Sequence, residues 1–189
     1  MFEFKIDNAH AAYKLMQDGW PTKIVSLVGP DINFELPEQG DHHIIRVFHD
    51  FEGPVDPATL AGTTWDLKGH DVILPTKDMV FDVLQHCWDL KEGDRLLIHC
   101  HAGRSRSAAM LIGIIFDHMR GNSIEDARRA LKMVEKVRPT MIPNRLMIEM
   151  MDEIMCNSEN QLQVVVKEYW DSYVGADKDL RTKYSGWKA

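Results

Sequence analysis

Short apolar runs of strand length alternate along the chain with longer stretches of helical period. Lys23–Val28 (KIVSLV), His43–Phe48 (HIIRVF) and Arg95–His99 (RLLIH) predict buried strands. Between the last two, Met79, Val80, Val83, Leu84, Cys87 and Trp88 recur at helical spacing and predict a helix from Lys77 to Leu90. Asn8 caps a short helix over 9–17, ended by Gly19 and Pro21. Ser107–Arg120 is apolar on nearly every side, which puts it at the centre of the fold with Gly121 as its stop. Ser123 and Asp126 form a loose capping box for a helix reaching Val137. Pro139 and Pro143 break that pattern, and a last core helix runs from Asn144 or Arg145 to about Cys156. This order predicts an α/β class with a central, mainly parallel sheet flanked by helices. Residues 1–156 form the expected domain, and 157–189 a helical extension packed on it with a charged tail.

One segment breaks the alternation. Residues 50–76 are polar, rich in proline and glycine, and without period. A loop that long in a compact domain is usually functional.

Composition narrows the function classes. A net charge of −7 argues against a general nucleic-acid partner, which favours a basic face. The apolar run Ala108–Phe116 is far shorter than the roughly 20 residues that span a bilayer, and the N-terminus lacks a signal-peptide pattern. Three cysteines without paired spacing suit a reducing, cytoplasmic setting.

The candidate chemistry lies in "LLIHCHAGRSRSAAMLIGIIF", residues 96–116, a polar knot between two core segments. Burying unpaired charge is costly, so the knot is either exposed or built to hold something that neutralises it. A tight loop over 101–106, entering a helix, can turn its backbone N–H groups inward as an anion nest reinforced by the helix N-terminus. Gly103 permits a backbone that a Cβ would resist, and Arg106 offers a planar fork to two phosphate oxygens. The sulfur of Cys100 lies at the base of this socket, in the kind of surroundings that yield reactive thiolates.

His99-Cys100-His101-Ala102-Gly103-Arg104-Ser105-Arg106-Ser107 resembles the H-C-x-x-G-x-x-R-[S/T] signature of the cysteine-based protein tyrosine phosphatases. The Ser105-Arg106-Ser107 ending resembles the dual-specificity branch and its small bacterial relatives. So do Val137-Arg138-Pro139 and Pro143-Asn144 downstream, and the likeness covers roughly residues 22–156. It implies the family's three-layer sandwich and hydrolysis of phosphotyrosine, either alone or together with phosphoserine and phosphothreonine, through a phosphocysteine on Cys100 and without a cofactor or metal. Phosphate binding then falls to His101, Ala102, Gly103, Arg104, Ser105 and Arg106, and Ser107 assists departure of the sulfur. The partner is a phosphorylated protein or peptide. Rival implications are a phosphoinositide or RNA 5′-triphosphate substrate, and a pseudophosphatase that binds phosphorylated partners without turnover.

A general acid must protonate the leaving oxygen. In the resembled branch an apolar strand is followed directly by the acid, which points to Asp50 after "IIRVFH". Asp50 precedes Cys100 by 50 positions, farther than the branch's usual spacing, so an insertion over 55–73 is implied. Asp66, after Trp65, resembles instead the Trp-Pro-Asp loop of larger relatives, without its proline. His42, His43 and His49 lack ligand spacing and are expected to be solvated or at a strand edge. Cys87 is expected in the core, with a protective disulfide to Cys100 as the alternative.

Overall fold

The computed structural model describes residues 1–30, 35–53, 71–155 and 159–176. Within these, four parallel strands form one sheet in the order β1 (Glu3–Asn8), β4 (Arg95–Cys100), β2 (Lys23–Val28), β3 (His43–Val47). Six helices accompany them: α1 (Ala9–Gln17), α2 (Lys77–Cys87), α3 (Arg106–His118), α4 (Ile124–Val137), α5 (Arg145–Ile154) and α6 (Gln161–Ala176). The central strands β4 and β2 are buried along almost their whole length, as parallel strands covered on both faces should be.

Topology fixes which helix covers which face. The β1–α1–β2 connection moves one way across β4, and β3–α2–β4 moves back across β2. Right-handed crossovers therefore put α1 on one face and α2 on the other. The side chains agree. Val25, Leu27, Leu96, Ile98 and Cys100 join the large core shared with α2 and α3, and the alternate residues Ile24, Val28 and Leu97, with Ala9 and Ala12 of α1, are buried outside it. The result is an α/β sandwich with α1 on one side and the other helices layered on the opposite side.

The expected helix starts coincide with side-chain caps. Asn8 Oδ1 accepts from the Ala11 amide at 3.0 Å, Ser123 Oγ from Asp126 at 3.2 Å, and Asn144 Oδ1 from Met147 at 3.1 Å. Helix α6 starts differently: the buried Asp152 carboxylate of α5 accepts from the Leu162 and Gln163 amides at 3.2 and 2.8 Å. At the end of α3 it is Arg120 that takes the left-handed conformation, φ 53°, while a Cβ on Gly121 would run into the Phe116 ring. That glycine serves close packing rather than the reversal itself.

Strand β1 is absent from the sequence expectation. Its alternation of Phe4 and Ile6 with charged residues is short, and it becomes a strand by pairing with β4 from Glu3↔Arg95 to Asn8↔Cys100. His43, expected to be solvated or at a strand edge, starts the edge strand β3 but is fully buried, because β3 pairs with β2 from its first residue.

Candidate active site

Cys100 is the last residue of β4, and α3 begins six residues later at Arg106. The intervening carbonyls are held from outside: His101 O by the Ala9 amide at 3.2 Å, Arg104 O by the Ile142 amide at 2.8 Å, and Ala102 O by Arg138 Nη2 at 2.7 Å. In a trans peptide the carbonyl and the next N–H point in opposite directions. The amides of Ala102, Gly103 and Ser105 are thereby turned away from those partners, toward the loop interior, as an anion nest requires. Arg138, from the Val137-Arg138-Pro139 segment, is one of the braces.

Gly103 has φ 66°, and a Cβ there would collide with the backbone of Asp7 and Asn8. Only glycine lets the loop rest on the β1–α1 junction. Ser105 occupies the N-cap position of α3 but makes no capping bond. Its hydroxyl donates instead to Asp50 Oδ1 at 2.7 Å, so no side chain of its own closes the helix N-terminus.

The sulfur of Cys100 lies 3.2 Å from Ser107 Oγ, and both residues are buried. Arg106, 5% exposed, donates through Nη1 to Phe48 O at 2.6 Å and packs over the Phe48 ring at 5.8 Å. Its Nε lies 3.9 Å from Asp50 Oδ2. Asp50 Oδ1 also accepts from Asn144 Nδ2 at 3.0 Å, which leaves Oδ2 as the oxygen without a hydrogen bond among the described residues. The loop carrying Asp50 is clamped one step further on, where the Arg145 amide and Nε donate to Glu52 at 2.7 and 2.8 Å. Helix α6 supports this region: Tyr169 donates to Met141 O at 3.2 Å and Trp170 to Pro143 O at 3.0 Å.

His99 is fully buried on the opposite face from Cys100, its Nε2 2.6 Å from Ser26 Oγ. Burial lowers its pKa to about 4, so the ring is neutral. Ser26 Oγ also lies 2.7 Å from His43 Nε2.

The structure thus brings together the loop 101–106, Cys100, Ser107 and Asp50. Asp66, the other acid candidate, and most of the stretch 55–73 lie outside the described residues. Among the described residues no cluster of three or more His, Cys, Asp or Glu is arranged to hold a metal ion, and no helix is long and apolar enough to cross a membrane. Cys87 is a core residue whose thiol burial pushes up to about 12. It lines a cavity of about 230 Å³ with Ile114, Asp117 and His118, at the far end of α3. Roughly 20 Å of helix separates that end from Cys100, too far for a disulfide. Sequence reasoning missed the contacts made by Glu52, Arg145 and Asn144, and the Ser26–His43 pair. The one local signal was a serine inside the apolar run KIVSLV.

No protein-family model matches the chain. Over 55 residues, 29% of its length, the chain is 40% identical to dual specificity phosphatase 28 of Mus musculus, and the match spans 31% of that relative. The crystal structure of the Yvh1 phosphatase domain from Chaetomium thermophilum is similar with a TM-score of 0.55, over 82% of this chain and 94% of that one, at 16% identity. That of DUSP15 is similar with a TM-score of 0.51, over 89% and 92%, at 20% identity. With a loop of this sequence between β4 and α3, the chain has the fold of the cysteine-based protein tyrosine phosphatases, in the form found in their dual specificity branch.

Proposed function

We propose that the protein is a phosphatase hydrolysing phosphotyrosine, and phosphoserine and phosphothreonine as well, through a phosphocysteine on Cys100. The observation that carries this is the convergence on one loop of a buried sulfur, a hydroxyl 3.2 Å from it, a buried arginine and a carboxylate 3.9 Å from that arginine. In the first step the Cys100 thiolate attacks phosphorus as the ester P–O bond breaks. The loop amides and Arg106 hold the equatorial oxygens, where charge is spread. Asp50 Oδ2 carries the proton taken by the leaving oxygen. In the second step water attacks the phosphocysteine, Asp50 recovers a proton from it, and sulfur departs with the Ser107 hydroxyl donating to it.

The test is turnover on a panel of phosphotyrosyl, phosphoseryl and phosphothreonyl peptides, with rapid acid quench to trap phosphate on the protein. Turnover with a trapped thiophosphate ester, absent from Cys100→Ser, is the expected result. Binding of the peptides without release of phosphate would identify a pseudophosphatase instead.

A further inference from the structure

Behind the nucleophile loop three polar side chains lie within a sheet that is otherwise apolar at this level. His43 of β3, Ser26 of β2 and His99 of β4 are each 0% exposed. Parallel register sets them side by side: His43 pairs with Ile24, and Ser26 pairs with His99, so the three project from one face. The links are short, 2.7 Å from His43 Nε2 to Ser26 Oγ and 2.6 Å from Ser26 Oγ to His99 Nε2. Both Nδ1 atoms are buried and outside hydrogen-bond geometry. Neither is spent on another side chain.

Counting protons limits what this chain can be. Burial lowers both histidines. Their titratable neighbours, His43 and Arg106 at His99 and His42 at His43, disfavour an added proton too, against the backbone of Cys100 at His99 and of Pro37 and Glu38 at His43. Two neutral rings and one hydroxyl supply three protons. Among the described residues the Ser26 hydroxyl has no acceptor besides the two rings, so its proton fills one contact and a ring N–H fills the other. The third proton lies on just one of the two Nδ1 atoms. If His43 Nε2–H donates to Ser26 and Ser26 donates to His99, the third proton is on His99 Nδ1. With both bonds reversed it is on His43 Nδ1, and His99 Nδ1 is a bare acceptor.

The surroundings favour the first arrangement. The backbone of Pro37 and Glu38 opposes burial at His43 as that of Cys100 does at His99, the direction expected when a ring N–H faces a carbonyl. The choice therefore turns on which bare nitrogen costs more. At His99 the ring faces the Cys100 carbonyl. A bare nitrogen there would oppose that carbonyl in the dry centre of the sheet. His43 starts the edge strand next to half-exposed Pro37 and exposed Glu38, where its Nδ1 is nearer to solvent.

We propose that Ser26 and His43 are positioning residues for the nucleophile: the Ser26 hydroxyl, oriented by His43, fixes His99 in the tautomer whose Nδ1–H lies against the backbone of Cys100. This rests on the assignment of Cys100 as nucleophile. His99 then holds the end of β4, and with it the direction of the sulfur, from the sheet face opposite the phosphate socket.

Two measurements test it, and neither needs a substrate. Two-bond proton–nitrogen correlation spectra of the full chain labelled in histidine read each tautomer directly. The expected result is His99 protonated at Nδ1 and His43 at Nε2; His99 protonated at Nε2 overturns the proposal. In Ser26→Ala the rate of Cys100 alkylation by iodoacetamide at fixed pH falls roughly 3- to 10-fold, the scale of one lost hydrogen bond. In His43→Gln, which keeps an amide donor, it falls less. Where phosphatase turnover is observed, kcat falls by the same factor as alkylation and KM does not. Ser26→Ala with a lowered melting temperature and unchanged alkylation overturns the proposal, leaving a structural role only. If Ser26→Ala fails to fold, the wild-type spectrum alone decides. An inactive wild type with the expected tautomers would sink the phosphatase assignment and leave the positioning network standing.

Discussion

Helix α3 carries a buried cysteine beside each of its ends, and the two could hardly be more differently placed. At its C-terminal end Cys87 is 4% exposed, packed with Leu84 and Ile114, its thiol held protonated by burial. At its N-terminal end Cys100 is 1% exposed, but a hydroxyl lies 3.2 Å away, an arginine is buried beside it, and the helix N-terminus opens toward it. Equal burial gives an inert packing residue at one end and a candidate nucleophile at the other. The donors around a sulfur, and not its depth, separate the two roles.

The sharpest way to break that contrast is to exchange sulfur for oxygen at each end. Cys100→Ser is expected to lower phosphatase turnover at least about a thousand-fold. Cys87→Ser should leave kcat within about two-fold while lowering the melting temperature, because it puts a hydroxyl in an apolar setting. Steady-state kinetics and thermal unfolding of the two variants check both halves. Comparable losses of activity would end the distinction.

Next in size is the acid. Asp50→Asn keeps the Ser105 bond available to its carbonyl oxygen but removes the proton from Oδ2. Turnover of an ester with a poor leaving group should drop by roughly 10²- to 10³-fold, and much less with a leaving group that departs unprotonated. The pH–rate profile of the variant should lose its basic limb. A retained limb would move the role to another carboxylate.

The N-terminal end of α3 was legible because its chemistry is local. A strand, a C-x5-R loop and a helix start fall within a few residues, and the Asn8, Ser123 and Asn144 caps each act over one turn. What supports the loop was not legible, because it comes from afar. Asn144 reaches Asp50 across 94 positions, Arg145 reaches Glu52 across 93, and Ser26 meets His99 across 73. The start of α5 meeting the loop after β3 brings the first two together, and strand register the third. Strand β1 failed for a related reason: four of its six residues are polar, and its partner β4 supplies the structure.

A steric probe separates socket from support. Gly103→Ala forces a Cβ against the Asp7 backbone at a left-handed φ of 66°, and neither the strand end nor the loop can yield cheaply. It is expected to cost about 1–3 kcal/mol of stability and to displace the loop amides, so that phosphate or vanadate inhibition weakens. Urea unfolding with vanadate titration checks it. An unaffected vanadate affinity would mean that the amides do not hold the anion.

The smallest effects are electrostatic and run in opposite directions at the two ends. The His99 pKa is depressed from 6.5 to about 4, so between those values the unfolded chain binds more protons than the folded one. Its contribution to stability is full above pH 6.5 and is lost as the pH falls toward 4. His43 and His86, also lowered by burial, act with the same sign. At the other end, burial raises the Asp117 pKa, against a bond from Trp88. That contribution is full below the unfolded value of 3.8 and is lost as the pH rises through the folded one. Acid therefore loosens the histidine network behind the socket and relieves Asp117. Asp117→Asn, whose amide oxygen can still accept from Trp88, should raise the melting temperature at pH 7 by about 1–2 °C, a gain kept small by solvent screening at a half-exposed site. The gain should vanish by pH 4, where the carboxyl takes up its proton anyway. A gain of equal size at both pH values would show that the replacement acts through packing, and that charge at this end of α3 costs nothing.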